Sequence, residues 1–284
     1  MLHSLTPPRP TADHPALPGL HRQCARLIAA DSALAAAIHQ NRGPVRQPRV
    51  ATVELIASNR IEGLVGAHCR RTVAVAALRE AREILAAITD TTPDGWIDAL
   101  CRVHARLAAH GVVDGMPAGD FRQQEVVVAR HQAPPTQRVA GLMADWARAY
   151  HSDSARQADA VVDALCAHHR LLYIHPYRDG NGRLARLDLE ARLRIPGLHC
   201  GVAWSVSAAL ARAEAQYRAA LAQADAPRHG DLDGRGALSQ AGLVAYCGSM
   251  LDALQREVDR CLSRTPVACA GHSFTEEGTP WSCA

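Results

Sequence analysis

The sequence predicts a mainly helical, all-α fold with one short β-hairpin. Hydrophobic residues make up 48% of the 284 residues, which is enough for a sizeable core, whereas aromatic residues make up only 4%. Strands favour β-branched and aromatic side chains, so a core built largely from Ala and Leu is expected on helices. Apolar residues also recur at helical spacing along most of the chain, and a single valine-rich run departs from this spacing.

Four helices are predicted before the valine-rich run. They cover about residues 19–40, 50–63, 67–88 and 92–111. A Pro-rich arm precedes the first helix, and Gly and Pro in the segment Asn41–Arg49 separate it from the second. The fourth helix has the clearest bounds, since Thr92 can cap its start, Pro93 suits its first turn and Gly111 suits its end.

The hairpin is predicted at the valine-rich run Glu125–Ala129, which is followed by the turn-like sequence RHQAPP. Such a hairpin could be a surface decoration, or an exposed edge that pairs with the backbone of another protein. Helices are then expected over residues 139–150, 157–173, 183–194, 205–224 and 237–264. No linker or repeat divides the chain. We therefore expect an N-terminal arm and helix over 1–48, one main domain over 49–264 and a loose tail over 265–284.

Charge and cysteine content favour a cytoplasmic protein without a nucleic-acid or membrane partner. The formal net charge is only +3, and the Arg residues are interspersed with Asp and Glu. The nine cysteines are an odd number without a CxxC pair, which favours reduced thiols over a disulfide framework or a zinc site. The N-terminus has prolines where a signal peptide needs an apolar run, and no stretch reaches the roughly 18 apolar residues of a membrane span.

The stretch LYIHPYRDGNGRLARL, Leu172–Leu187, has the features of an anion site. Between the helices predicted on either side, Gly180 and Gly182 let the connecting backbone turn and approach a ligand closely. Backbone amides at the start of the second helix, together with the helix dipole, favour negative charge. Arg183 and Arg186, three residues apart, add fork-shaped donors that suit phosphate oxygens.

Asp179 and His175 extend this pattern toward catalysis. Asp179 would place a carboxylate beside the phosphates, where a Mg²⁺ ion takes one or two such ligands. His175 could act as a general base near pH 7 on a hydroxyl that attacks phosphorus. The stretch contains neither a nucleophile nor a Walker-type lysine, so the hydroxyl is expected to belong to a second substrate. The residues predict transfer of a nucleotide or phosphoryl group. Taken singly, each feature is also typical of an ordinary turn, a structural histidine or a solvated arginine pair.

The segment HPYRDGNGRLAR resembles the signature of the Fic family, HPFx(D/E)GNGRxxR, with Tyr177 in place of the usual Phe. That change keeps the aromatic ring and adds a hydroxyl that needs a partner. The runs GDFRQQEVVV and APP resemble the flap hairpin of the family, and WSVSAALARAEAQYRAAL and RHGDLDGRGALS resemble its later helices and loop. The resemblance covers roughly residues 50–260 and implies the helical fold of that family.

The resemblance implies a protein adenylyltransferase that uses ATP and Mg²⁺ to transfer AMP to a Ser, Thr or Tyr hydroxyl of a target protein. It assigns His175 to deprotonation of that hydroxyl and Asp179 to the metal. The residues assigned to the nucleotide and its phosphates are Gly180, Asn181, Gly182, Arg183, Arg186 and, as a candidate adenine contact, Tyr217. A tyrosine facing the core is an equal interpretation of that last position. Phosphoryl transfer on the same frame and a non-catalytic regulatory nucleotide-binding protein are the alternatives, and a homodimer is compatible with the resemblance.

The sequence SNRIEG resembles the inhibitory motif (S/T)xxxE(G/N) of Fic proteins at Ser58, Glu62 and Gly63. Taken alone, it is also an ordinary helix end with a solvated glutamate. The resemblance implies an inhibitory helix over residues 50–63 that places Glu62 against Arg186, the guanidinium that the γ-phosphate needs. The chain is therefore expected to be autoinhibited. The sequence leaves open whether the protein also removes AMP from a modified target.

Overall fold

The computed structural model describes residues 6–40, 47–63, 71–88, 92–114, 118–128, 131–151 and 156–265. Within these ranges the chain forms ten α-helices and two two-stranded antiparallel hairpins. The elements are α1 (Leu17–Gln40), α2 (Gln47–Ile61), α3 (Arg71–Ala86), α4 (Pro93–Ala109), β1 (Val127–Val128), β2 (His131–Gln132), α5 (Thr136–Ala149), α6 (Gln157–Ile174), α7 (Asn181–Arg194), α8 (Val206–Arg212), α9 (Glu214–Ala224), β3 (Gly234–Arg235), β4 (Leu238–Ser239) and α10 (Gln240–Ser263). The predicted mainly helical class is confirmed.

Helices α6 and α7 form the centre of the fold. Every residue from Val161 to Leu171 in α6 is buried, and so is every residue from Arg183 to Glu190 in α7. A helix buried on all its faces must lie inside the packed layers of a domain. Around this pair, α1 packs on α10, α2 packs on α8, and α3 packs on α4. The loop between α6 and α7 is therefore held on both sides by rigid, central elements.

Several predicted bounds agree with the structure for local reasons. The Thr92 side chain caps α4 by accepting a hydrogen bond from the Gly95 amide at 3.2 Å, and Pro93 occupies the first position of the helix. Gly111 follows the end of α4 with φ of 64°, a left-handed conformation that glycine adopts without steric cost. Of the predicted loose tail, residues 266–284 lie outside the described residues, as do residues 41–46 of the predicted break.

Two regions differ from the sequence-based expectation. The helix expected over residues 205–224 is divided at Ala213 into α8 and α9. A second hairpin, which the sequence did not predict, pairs β3 with β4 just before α10, and Gly236 at φ of 66° makes its turn. In the first hairpin, part of the predicted turn forms strand β2, with Val128 opposite His131.

The Pro-rich arm is docked over its described residues. Arg9 forms an ion pair with Asp163 of α6 at 2.6 Å, and the Tyr150 hydroxyl donates to the Pro8 carbonyl at 2.6 Å. The six cysteines in the described part of the chain are free thiols. Among the described helices, none combines the length and apolarity needed to cross a membrane.

Candidate active site

His175 ends α6 in a conformation that is rare for its residue type. Its φ and ψ are 52° and 61°, and it is the only non-glycine residue with positive φ in the described ranges. Its backbone amide still donates to the Leu171 carbonyl at 3.0 Å, so the helix stops at this residue and the chain turns sharply. A non-glycine residue in this region is held there by its surroundings, and such residues are concentrated at functional sites.

The imidazole of His175 is neutral at pH 7. Burial lowers its pKa to about 4, and the neighbouring His131 and Arg122 side chains act in the same direction. A hydrogen bond to the Leu172 carbonyl and the carboxylate of Glu62 act in the opposite direction. Because the ring donates its one N–H to a carbonyl, its second nitrogen is left as an acceptor. The side chain is thus in the form that a general base requires.

The loop after His175 is braced by Asn181, the first residue of α7. Its side-chain oxygen accepts from the Tyr177 amide at 2.9 Å, and its side-chain nitrogen donates to the Tyr177 carbonyl at 2.7 Å. The Asn181 side chain, which was predicted to bind phosphate, is thus hydrogen-bonded to the loop itself. The Tyr177 hydroxyl, which was expected to need a hydrogen-bond partner, donates to Cys101 Sγ at 3.4 Å. The Tyr177 ring stacks on the His104 ring, with 3.9 Å between the ring centroids.

Gly180 is required by both its conformation and a close approach, whereas Gly182 lies close against a side chain. Gly180 caps α7 with φ of 82°, and a Cβ there would lie 2.5 Å from Cγ1 of Val113. A Cβ on Gly182 would lie 2.3 Å from a carboxylate oxygen of Glu62. The start of α7 therefore presents bare backbone, and a carboxylate already rests against it. Backbone amides and the helix dipole favour negative charge at a helix start.

Asp179 is oriented by residues that the sequence analysis did not identify. Its side chain accepts from the Asp114 amide at 2.7 Å, and its carbonyl bonds to His104 Nε2 at 3.1 Å. His104 Nδ1 accepts from the Gly119 amide at 3.0 Å, so Nε2 is the nitrogen that donates to Asp179. No sequence spacing marked His104, because the contact joins two elements that are distant in the chain.

Arg183 and Arg186 both lie beside Glu62, but their partners differ. Arg183 is buried, and burial lowers its pKa while the charges of Glu62 and Asp179 raise it. Its Nη2 donates to Asn59 at 3.3 Å, and its buried Nε has no hydrogen-bond partner among the described residues. A buried guanidinium with an unsatisfied donor beside a cavity suits an anionic ligand. The cavity has a volume of about 510 Å³, within the range of small-molecule sites. It is lined by Glu62, Gly111, Val112, Val113, Asp114, Asp179 and Arg183.

Arg186 donates several hydrogen bonds to residues at the end of α2. Its Nη2 donates to Glu62 at 2.7 Å and to the Ser58 hydroxyl at 2.7 Å, and its Nε donates to the same hydroxyl at 3.1 Å. The guanidinium is 1% exposed and the Glu62 side chain is 31% exposed. Gly63 follows with φ of 74° and ends the segment. The structure thus places the Glu62 carboxylate against Arg186 and brings Ser58, for which the sequence suggested no partner, to the same guanidinium.

A second carboxylate, that of Glu54 one turn before Ser58, anchors helix α2. The side chain of Glu54 is buried and accepts from the Ser207 amide at 3.0 Å and from the hydroxyls of Ser205 and Ser207. These groups form the start of α8. The position of Glu62 is therefore set by a helix that is anchored at its middle as well as at its end.

Tyr217 lies in the core, with 5% exposure, and does not line the cavity. Its hydroxyl accepts a hydrogen bond from Arg186 and contacts His168 Nε2 at 3.4 Å, and His168 Nδ1 contacts the Tyr246 hydroxyl at 2.8 Å. The structure thus places Tyr217 behind Arg186, which corresponds to the core-facing alternative for this position.

The site fits a polyphosphate. Arg183 and Asp179 both line one cavity at the start of α7. A Mg²⁺ ion would find the carboxylate of Asp179 here, beside those of Glu62 and Asp114, and phosphate oxygens and water would have to complete its ligands. In the described part of the chain, no group of three or more His, Cys, Asp or Glu side chains forms a metal site by itself.

Comparison with known proteins agrees with this geometry. Residues 95–191 match the family model described as "Fic/DOC family". These residues form a Fic domain. The Fic domain extends from α4 through hairpin β1–β2 to α7 and includes the whole stretch from His175 to Arg186. Helix α2 and Glu62 lie outside the matched segment.

Curated relatives of the Fic domain include the proteins named protein adenylyltransferase Fic of Drosophila yakuba and Drosophila melanogaster. Each is 35% identical over 104 residues, which cover 37% of this chain and 21% of the relative. The match thus spans about a fifth of the length of these relatives.

Solved structures of Fic proteins share the fold over a longer part of the chain. A Fic family protein from Desulfovibrio desulfuricans G20 is similar with a TM-score of 0.65 and 24% identity, covering 90% of this chain and 76% of that one. Fic-1 from C. elegans is similar with a TM-score of 0.58 and 18% identity, covering 88% of this chain and 74% of that one. These similarities extend the shared fold well beyond the Fic domain itself.

Proposed function

We propose that the protein transfers AMP from MgATP to a Ser, Thr or Tyr hydroxyl of a target protein, and that α2 keeps this activity low. The observation that carries the proposal is the convergence of a bare helix start, two arginines and a neutral histidine on one loop. The relatives named protein adenylyltransferase Fic support the same reaction.

The phosphates of ATP would bind where the Glu62 carboxylate now lies. Backbone amides around Gly180 and Gly182 would donate to the α- and β-phosphates, because the helix start offers donors and a favourable dipole. Arg183 would satisfy its free Nε on the same phosphates, and Arg186 would meet the γ-phosphate. Asn181 would contribute mainly by holding the loop, since its side chain is bonded to Tyr177.

Mg²⁺, when bound, would neutralise charge on the phosphates, and Asp179 would be its protein ligand. The backbone amide of Asp114 and the bond from His104 to the Asp179 carbonyl hold that carboxylate in place. His175 would take the proton of the acceptor hydroxyl as the hydroxyl oxygen attacks the α-phosphorus, the bond to the β-phosphate breaks and pyrophosphate leaves. Its low pKa, about 4, keeps the imidazole unprotonated and available at pH 7.

Autoinhibition is proposed from the contact between Glu62 and Arg186. A charge-assisted hydrogen bond of 2.7 Å occupies the guanidinium that would otherwise bind the γ-phosphate. The same carboxylate lies within van der Waals contact of Gly182, so it also occupies the space in front of the helix start. ATP can bind productively only after Glu62 moves away. Removal of AMP from a modified target is compatible with this arrangement.

We further propose one catalytic body over residues 49–264, with the arm and first helix over 1–48 packed against it and a tail over 265–284. The packing of α1 on α10 and the ion pair of Arg9 support this organisation for the described residues. The cytoplasmic location, the homodimer and the absence of nucleic-acid and membrane partners stay predictions from the sequence.

The proposal is tested by intact-mass analysis of the Glu62→Gly protein after incubation with ATP and Mg²⁺. The wild type and a Glu62→Gly, His175→Ala double variant serve as controls. We expect Glu62→Gly to gain AMP by self-modification, and the wild type and the double variant to gain little. A gain of phosphate would select phosphoryl transfer instead. No mass change in any variant, with and without an added lysate as a source of targets, would contradict the proposed reaction.

A further inference from the structure

The base of the hairpin β1–β2 contains an unusual buried arginine. The side chain of Arg122 is 0% exposed and lies just before β1. Its nearest carboxylate, on the exposed side chain of Glu125, is 3.9 Å away, which is too far for a hydrogen bond. The buried charge is therefore compensated mainly by other groups.

Those groups are four main-chain carbonyls from two separate segments. Arg122 Nε donates to the His175 carbonyl at 2.8 Å, and Nη2 donates to the Ile174 carbonyl at 3.5 Å. On the hairpin side, Nη1 donates to the Gln124 carbonyl at 3.0 Å, and Nη2 also donates to the Pro134 carbonyl. The carbonyls at the end of α6 lack helical partners and carry the negative end of the helix dipole, so a cation is favoured there.

The two α6 carbonyls belong to the peptide planes on either side of His175. The Ile174 carbonyl lies in the plane before this residue, and the His175 carbonyl lies in the plane after it, so together they define its φ and ψ. The Arg122 backbone amide also donates to the Pro176 carbonyl at 2.8 Å. One residue thus contacts three consecutive peptide planes at the point where the backbone takes its left-handed conformation.

We infer that Arg122 is a positioning residue that holds the His175 backbone and the hairpin in one fixed relation. The kinetic part of this inference rests on the proposed AMP-transfer reaction. Every side-chain hydrogen bond of Arg122 goes to a main-chain carbonyl at the end of α6 or in the hairpin region, so it acts through His175 and the hairpin and not on the nucleotide. Val127 and Val128 form an exposed strand edge that can pair with the segment of the target protein that carries the acceptor hydroxyl. With that segment paired, the Arg122 guanidinium keeps His175 aligned with the acceptor hydroxyl.

Arg122→Lys in the Glu62→Gly background tests this role. Lysine keeps the charge but cannot present a planar fork to carbonyls of two segments. Arg235→Lys is a matched control, because Arg235 is also buried and donates to the carbonyls of Ser239 and Ala224, far along the chain from His175. Folding is checked by circular dichroism and thermal melting, MgATP affinity by calorimetry and AMP transfer by intact mass.

We expect Arg122→Lys to transfer AMP about 100-fold more slowly while its MgATP dissociation constant stays within about twofold. Hydrogen exchange should rise on the order of tenfold in residues 122–135 and 174–179, and Arg235→Lys should raise it only around residues 224–241. Arg122→Gln should be at least as slow as the lysine variant.

Unchanged transfer or unchanged exchange in Arg122→Lys would overturn the inference. So would an equal loss of MgATP binding, or failure of both Arg122 variants to fold while Arg235→Lys folds, since each would make the residue a general structural requirement. If the parent protein transfers no AMP at all, the proposed reaction fails, and the exchange pattern alone then decides whether Arg122 holds the two segments together.

Discussion

Replacement of Glu62 by Gly should tighten MgATP binding about 30-fold. The Glu62 carboxylate and the Arg186 guanidinium form a charge-assisted hydrogen bond of 2.7 Å. Such bonds contribute about 1.5–3 kcal/mol, and we take about 2 kcal/mol because the Glu62 side chain is 31% exposed and partly screened by solvent. At about 1.4 kcal/mol for each tenfold change in affinity, this cost corresponds to roughly 30-fold.

The substitution itself should cost no more stability than this hydrogen bond contributes, about 2 kcal/mol. Glu62 follows the last residue of α2, so glycine does not interrupt the helix. Ser58 continues to accept hydrogen bonds from Arg186, so the guanidinium keeps a partner when the carboxylate is removed. Thermal melting in the absence of nucleotide should therefore differ by only a few degrees from the wild type.

Isothermal titration calorimetry with MgATP measures the effect. Glu62→Gln, which keeps the size of the side chain and loses its charge, should bind MgATP with an affinity between those of the wild type and Glu62→Gly. Ser58→Ala, which leaves the carboxylate in place, should bind no more tightly than the wild type. Equal dissociation constants for wild type and Glu62→Gly would refute competition between the carboxylate and the γ-phosphate.

Two further predictions concern stability. Burial lowers the pKa of three histidines, which disfavours their protonation in the folded state; they are His168 (about 3), His169 (about 4) and His175 (about 4). Below pH 6.5 the unfolded chain binds more protons than the folded protein, so the free energy of unfolding should fall as the pH is lowered from 6.5 toward 4. At pH 5 the loss should be about 2 kcal/mol for each histidine. Urea unfolding at pH 7 and pH 5 measures this loss, and equal midpoints would contradict it. Gly180→Ala should destabilise by about 3 kcal/mol, because φ is 82° and the new Cβ meets Val113 at 2.5 Å. In the same unfolding assay Gly141→Ala, a helical glycine with open space around it, should be neutral or slightly stabilising, and a similar loss for both variants would argue against this cause.

The sequence was most informative where a feature depends on neighbours in the chain. The Thr92 cap and the Pro93 start of α4 follow from backbone groups within one turn. Gly180 follows from a φ that other residues adopt only at a cost. The short hairpins were less predictable, because two-residue strands carry almost no periodic pattern and β2 contains His131 instead of a typical strand residue.

Partners distant in the chain divide into those that a motif suggested and those that it did not. Resemblance to Fic proteins brought Glu62 to Arg186 across 124 residues of sequence. It did not suggest the bond from His104 to Asp179, the buried carboxylate of Glu54 at α8, or the carbonyls bound by Arg122. Nothing in the residue type of a single His, Glu or Arg shows which backbone groups it will meet.

Composition, helical spacing and one twelve-residue motif were sufficient to determine the helical class and to predict an anion site, because both rest on patterns within a few residues of one another. The tertiary structure decided the state and the contacts of each site residue. His175 is neutral and has a left-handed backbone, and Asn181 bonds to its own loop. Tyr217 lies in the core, and Glu62 contacts Arg186. These outcomes depend on burial and on donors and acceptors from separate helices, and only the packed chain brings those together.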